Sequence, residues 1–233
     1  MKQIHANEPA KVKAYVAWLL NSTKGYAAKI VNPGGVEVWK STGGNATGLD
    51  DPIAHFNVSP RQIIASVAQS AMELGLPHAV HIHCNNLGMP GNWMTTLETM
   101  KALEGRRGHI THIQFHSYGG NPDEQSTFCS EVPALVDYVN SHDNLTVDVG
   151  QVMFSETTSM TGDGPLGYFL HKVTGRKWFS SDTEMEAGCG IVPITYKDSS
   201  MVHALQWAIG LEWYLLMQDP WRIAMSTDHP NGG

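Results

Sequence analysis

Apolar positions in this chain switch repeatedly between a helical period and short strand-like runs, which predicts alternating helices and strands. Residues 11–20 read as a short amphipathic helix. Ala27-Ala28-Lys29-Ile30-Val31 reads as a strand that stops at the turn signal Asn32-Pro33-Gly34-Gly35. A polar, glycine-bearing loop is expected up to about residue 58. Ser59-Pro60 then supplies an N-cap and a first-turn proline, and Ile63, Ile64, Val67 and Met72 fall near helical spacing as far as Gly75. Residues 78–83 predict a strand, followed by a loop rich in Asn and Gly and a helix over 93–104. A strand is expected over 110–116, ending in Ser117-Tyr118-Gly119-Gly120. Residues 132–140 predict a helix, 145–149 a strand, and 155–200 a long irregular insertion. The clearest helix is 202–217, with Leu205, Ile209, Trp213 and Leu216 on one face, and a last strand is expected over 221–226. No internal repeat is evident.

Alternation of this kind predicts an α/β fold, a parallel sheet with helical crossovers. The glycine pattern of a dinucleotide fold is missing, and so is a P-loop. The strands carry polar residues at their C-terminal ends, where a (β/α)8 TIM-type barrel places its chemistry. A barrel has eight strands and five are legible here, so two edges would be open. The expectation is therefore a partial barrel covering about strands 4 to 8, with 1–233 forming part of one barrel domain interrupted by the insertion at 155–200.

Composition narrows the function classes. The 233 residues are 42% apolar and 16% charged, with 7 Trp, 7 Tyr and 6 Phe, which excludes a disordered chain. A net charge of −7 without a Lys/Arg cluster argues against nucleic-acid binding. Cys84, Cys129 and Cys189 lie far apart, so neither a disulfide framework nor a thiolate zinc knot is indicated. No apolar run is long enough to span a bilayer, and the start lacks a signal-peptide pattern, so a cytoplasmic protein is expected. The unusual feature is 12 histidines.

Several of them fall at strand ends. In His81-Ile82-His83-Cys84-Asn85-Asn86, residues two apart share a face of the strand, so His81 and His83 point together. His112, Gln114 and His116 would do the same in the next strand. Ser226-Thr227-Asp228-His229-Pro230 puts a carboxylate at the end of the last strand, and Lys29 precedes the Pro-Gly-Gly turn of the first. Imidazoles, a carboxylate and an inward lysine at one rim suit a borderline divalent ion such as Zn2+. Blander readings exist for each residue: a lone strand histidine is often a hydrogen-bonded core residue, and a lone lysine usually forms a salt bridge. Cys84 and Cys189 read as small packing residues, and Trp207, Trp213 and Trp221 as core.

Longer motifs carry a resemblance. Asn32-Pro33-Gly34-Gly35, His81-Ile82-His83-Cys84-Asn85-Asn86-Leu87-Gly88, Pro90-Gly91-Asn92 and Thr111-His112-Ile113-Gln114-Phe115-His116-Ser117-Tyr118-Gly119 are similar to the A subunit of formylmethanofuran dehydrogenase. So are Asp148-Val149-Gly150-Gln151, Glu186-Ala187-Gly188-Cys189-Gly190-Ile191-Val192-Pro193, the stretch from Ala204 to Glu212, and Thr227-Asp228-His229-Pro230-Asn231-Gly232. The A subunit of the bacterial formyltransferase/hydrolase complex shares these motifs, and both families belong to the metal-dependent amidohydrolases.

The resemblance implies a binuclear site with two Zn2+ ions, bridged by a carboxylated Lys29. It makes His83 and His116 metal ligands, with His81 and His112 as their second choices, and Asp228 both a ligand and the catalytic acid/base. The paired histidines that such proteins take from a first strand have no counterpart upstream of Lys29, so the 233-residue chain alone is expected to be inactive. Asn85, Asn86, Gln114 and Cys189 become candidate substrate contacts. The implied reaction, part of one-carbon metabolism and methanogenesis, interconverts N-formylmethanofuran plus water with formate plus methanofuran. Its partners would be the other subunits of the dehydrogenase or formyltransferase/hydrolase complex and a methanofuran-type substrate, with no nucleic acid and no membrane. Two other readings are a zinc amidohydrolase acting on a cyclic amide, of the dihydroorotase or hydantoinase kind, and a scaffold subunit that holds no metal. Turnover of a cyclic imide separates the first and metal content the second.

Overall fold

A computed structural model describes residues 1–42, 47–150, 158–160, 168–169, 171–172, 193–195 and 197–226. Five parallel strands form its centre: β1 (Lys29–Val31), β2 (Val80–His83), β3 (Gly108–Ile110), β6 (Leu145–Val149) and β9 (Ile223–Met225), in that spatial order. Successive strands of this sheet lie side by side in chain order, as a singly wound barrel wall requires.

The register divides the sheet into two unlike faces. Lys29 pairs with His81, His81 with His109, and His109 with Thr146, so these residues share one face, together with His83 and Asp148. The opposite face presents Ile30, Val80, Ile82, Ile110, Leu145, Val147 and Val149, all buried. Helices α4 (Pro60–Glu73), α5 (Trp93–Lys101), α6 (Val132–Asn140) and α7 (Met201–Leu216) cover this apolar face. Ile64, Met100, Leu135, Ile209 and Trp213 supply much of that cover. Ile82 is fully buried in this layer, so truncating it to Ala would cost about 2–5 kcal/mol.

The elements follow from the sequence in several places. Helix α4 begins where Ser59 was expected to cap it. Gln62 N–H donates to Ser59 Oγ (3.3 Å), and Ser59 N–H donates back to Gln62 Oε1 (2.9 Å). Such a reciprocal cap is worth about 1 kcal/mol. The first helix pair, α1 (Lys2–His5) and α2 (Pro9–Thr23), packs outside α4.

Other expectations are corrected. The loop expected up to residue 58 contains helix α3 (Gly35–Thr42), which buries Val38 and Trp39. Its entry depends on Gly34 at φ +74°, where a Cβ would lie 2.3 Å from Ile53 Cδ1. The strand expected over 110–116 ends at Ile110. Beyond it, His112 turns left-handed (φ 53°) and Ile113–His116 forms one 3-10 turn. The alternation of His112, Gln114 and His116 across a strand therefore does not hold. The chain then makes a hairpin, β4 (Tyr118–Asn121) against β5 (Glu124–Ser130), where only a strand end was expected. Of the three tryptophans expected in the core, Trp213 is fully buried, but Trp207 is exposed and Trp221 is 93% exposed.

Within the insertion expected over 155–200, β7 (Thr158–Met160) pairs antiparallel with β8 (Pro193–Thr195). Cys189 and Asp228 lie outside the described residues. No helix among the described residues is long and apolar enough to cross a membrane.

Candidate metal centre

Polar side chains gather on the sheet face that the helices leave uncovered, and they crowd toward the C-terminal ends of β2, β3 and β6. His83 ends β2 and is buried. Its ring stands 5.5 Å from that of His116 and 5.4 Å from that of His112, in both cases nearly perpendicular (83° and 78°). One strand step deeper, the His81 ring stands 4.5 Å from that of His109. Lys29 lies level with His81 by register and is exposed.

The turn that carries His116 is held from several sides. Asn92, just before α5, donates to the carbonyls of Phe115 (2.7 Å) and Asn86 (2.8 Å) and accepts from the Tyr118 N–H (3.0 Å). Thr96 donates to the His116 carbonyl (2.8 Å), and Trp213 Nε1 donates to Ser117 Oγ (2.9 Å). The His116 backbone is thus fixed, yet neither ring nitrogen of its fully buried side chain has a hydrogen-bond partner. Burial, reinforced by His83 and His112, pushes its pKa well below the usual histidine range, so the ring is neutral.

Asp148 and His109 form a second group that the strand patterns did not single out. His109 Nε2 donates to Asp148 Oδ2 (2.9 Å), and His109 Nδ1 lies 2.8 Å from Thr146 Oγ1. Because an ionised carboxylate only accepts, the proton of the His109–Asp148 bond sits on Nε2. Asp148 Oδ1 accepts from the His112 backbone N–H (3.0 Å) and from Ser226 Oγ (2.7 Å). Burial pushes the Asp148 carboxyl up, but the bonds from His109, His112 and Ser226 outweigh it and hold the group well below the usual carboxylate range. Burial, followed by the neighbouring His109, pushes His81 down. A signal for this pair existed: Asp148 is the one charged residue of strand β6, and a strand over 108–110 would have put His109 on its face.

The expected substrate contacts fall into different settings. Asn85 is buried, donates to the Pro33 carbonyl (3.2 Å), and leaves its Oδ1 without a partner. The Asn86 amide is engaged with Thr47 at both ends and with Thr95. Gln114 donates to the Gln206 carbonyl (3.2 Å) on α7, and its buried Oε1 has no partner. Cys84 is buried beneath the rim, which pushes its thiol up to about 12 and makes it a packing residue.

The orphaned nitrogens of His116 beside His83 offer neutral imidazole donors, which fit a zinc ion. Among the described residues, however, no three His, Cys, Asp or Glu side chains are grouped to hold a metal. Of the four expected ligands, the structure brings His83 and His116 together, places Lys29 on the same face, and leaves Asp228 outside the described residues.

The profile described as "Amidohydrolase family" matches residues 1–233. This chain belongs to the amidohydrolase family. It is 48% identical over 231 residues to "Protein FwdA" of Methanocaldococcus jannaschii, covering 94% of this chain and 40% of that protein. It is 38% identical over 231 residues to the A subunit of the formyltransferase/hydrolase complex Fhc of Methylorubrum extorquens, covering 95% of this chain and 41% of that protein. This amidohydrolase chain thus spans about two fifths of the length of these relatives. A crystal structure of the formyltransferase/hydrolase complex FhcABCD of Methylorubrum extorquens with methylofuran superposes with a TM-score of 0.87 at 37% identity. That match covers 100% of this chain and 43% of the other. The partial barrel read from the strand ends and the resemblance read from the motifs agree with these relatives.

Proposed function

We propose that this chain carries part of a binuclear zinc centre that interconverts a formyl amide and water with an amine and formate. On this reading it works within a complex of the formylmethanofuran dehydrogenase or formyltransferase/hydrolase kind, with N-formylmethanofuran or a close analogue as substrate. The observation that carries the reading is the His116 ring, buried and neutral with both nitrogens unpartnered beside His83, in a chain 48% identical to FwdA. A buried imidazole without a partner is costly unless something fills its lone pair.

In this reading His83 and His116 bind the metals as neutral ligands. His116 is preferred to His112, whose Nδ1 lies 3.6 Å from the Asp148 carboxylate and so has a competing partner. His83 is preferred to His81 because it stands nearer the rim. Lys29 would become an oxygen ligand as a carbamate: its ammonium gives one proton to water, the amine nitrogen bonds to the carbon of CO2, and the carbamic acid so formed gives a second proton to water. Zinc bound there supplies a Lewis acid that polarises the formyl oxygen and acidifies water. Asp228 takes the proton of the attacking water and delivers it to the leaving amine nitrogen as the C–N bond breaks. The partnerless Oδ1 of Asn85 is an acceptor for a substrate N–H, and the buried Oε1 of Gln114 is a second candidate acceptor.

The test uses the protein purified with the subunits that accompany it. About two zinc ions per chain and formate release from an N-formyl amine, with a cyclic imide left intact, are expected. Activity without bound metal, or turnover of the cyclic imide instead, would overturn the proposal.

A further inference from the structure

Asp148 belongs to none of the roles assigned above, yet its carboxylate accepts three hydrogen bonds on this face of the sheet. Its Oδ1 takes the His112 N–H at 3.0 Å and the Ser226 hydroxyl at 2.7 Å, while Oδ2 takes His109 Nε2 at 2.9 Å. These donors come from three separate segments. His112 opens the turn Ile113–His116, His109 lies on β3, and Ser226 directly follows β9. Asp148 itself sits on β6, between β3 and β9 in the sheet.

We infer that Asp148 is a positioning residue that fastens the His116-bearing turn and the end of β9 to one carboxylate, and so sets the spacing of the groups the centre uses. The inference rests on the metal-centre reading above. His112 adopts the left-handed region (φ 53°), and its N–H, turned out of the strand ladder, meets Asp148 at that bend. Ser226 is bonded twice, through its N–H to the Val149 carbonyl (3.0 Å) and through its hydroxyl to Asp148. The chain reaches Asp228 two residues later. One carboxylate oxygen therefore joins the two segments, and the neighbouring oxygen anchors that carboxylate to His109. Residues that orient metal ligands from behind commonly govern metal affinity by about 10- to 100-fold.

Three variants separate positioning from bulk stability. Asp148→Ala removes all three acceptor contacts. Asp148→Asn keeps one oxygen for His112 and Ser226, and Ser226→Ala cuts only the link to β9. Each is made in the protein purified with its accompanying subunits, and zinc affinity is read by chelator competition alongside backbone hydrogen exchange. Asp148→Ala is expected to weaken zinc about 10- to 100-fold and to speed exchange selectively over 111–117 and at 223–226. Asp148→Asn is expected to restore most of both, and Ser226→Ala to speed exchange only at the end of β9. Uniformly faster exchange, zinc affinity within twofold of the parent, or failure of Asp148→Asn to rescue would overturn the inference. Should Asp148→Ala not fold, the contrast between Asp148→Asn and Ser226→Ala still decides, since a fastener requires Ser226→Ala to loosen β9 and leave 111–117 alone. If the parent protein holds no zinc, the proposed function fails, while the exchange pattern still judges Asp148.

Discussion

The Thr96 hydroxyl on α5 donates to the carbonyl of His116 at 2.8 Å, so a helix built on the apolar side of the sheet holds a residue at the polar rim. Asn92, one turn earlier, holds the adjacent Phe115 carbonyl and the Tyr118 N–H. Thr96→Val keeps the shape but strands a buried carbonyl, at a cost of about 1–3 kcal/mol. Asn92→Ala removes three such bonds and is expected to cost more. Urea midpoints measure both, and the ordering Asn92→Ala below Thr96→Val below parent is the expected outcome. Equal midpoints for all three would show that the turn is held by packing alone.

How far this fold was legible depends on element length. The helix at 132–140 and the strand at 145–149 come out with the expected bounds, because each has a clear apolar period. The three-residue strands β1, β3 and β9 are too short to fix their own ends. At β3 the consequence was direct: apolar residues continue through Ile113 and Phe115, so the pattern extended the strand across the left-handed bend at His112. The strand itself instead carries His109, and His112 lies past its end in the left-handed bend. His83 and His116 nonetheless lie side by side, with His83 at the end of β2 and His116 on the 3-10 turn beyond β3 rather than at a strand end. The bonds that converge on Asp148 come from residues 36 to 78 positions away, a relation that local periodicity does not carry.

Acid sensitivity follows from the buried imidazole. In protein stripped of metal, His116 has a folded pKa below the ordinary histidine value of about 6.5, because of burial and then of His83 and His112. The unfolded chain therefore binds a proton that the folded chain refuses. This contribution to stability is fully present above about pH 6.5 and is lost as pH falls below it, by up to ~1.4 kcal/mol per pH unit. His81, lowered by burial and His109, acts in the same direction. Urea midpoints in chelator should fall from pH 7.5 to 5.5, and fall less for His116→Gln. A midpoint that rises on acidification contradicts the buried neutral state.

Ligand choice within each histidine pair has its own test. His83→Ala and His116→Ala should each lower bound zinc sharply, since each removes a nitrogen donor from the rim. His81→Ala and His112→Ala should leave most of the zinc in place. Elemental analysis of the four purified variants reads this directly. Loss of zinc in His112→Ala with retention in His116→Ala would transfer the ligand role to the residue beside Asp148.

Asp228 and Lys29 should fail in different ways. Asp228→Asn preserves size and one oxygen, so zinc content should drop only modestly. It removes the proton acceptor, however, and positioned acid–base catalysis is worth about 10²–10⁴-fold in rate. Formyl-amide hydrolysis per bound zinc should therefore fall by at least that order. Lys29→Ala removes the side chain that would become the carbamate, so metal and activity should disappear together. An added short carboxylic acid, able to occupy the bridging position, should restore part of both in Lys29→Ala and neither in Asp228→Asn. Turnover per zinc separates the two roles, because a lost ligand lowers the number of loaded sites and a lost proton acceptor lowers the rate of each. Near-normal turnover per zinc in Asp228→Asn would remove the aspartate from proton transfer and make the neighbouring His229 the residue to substitute next.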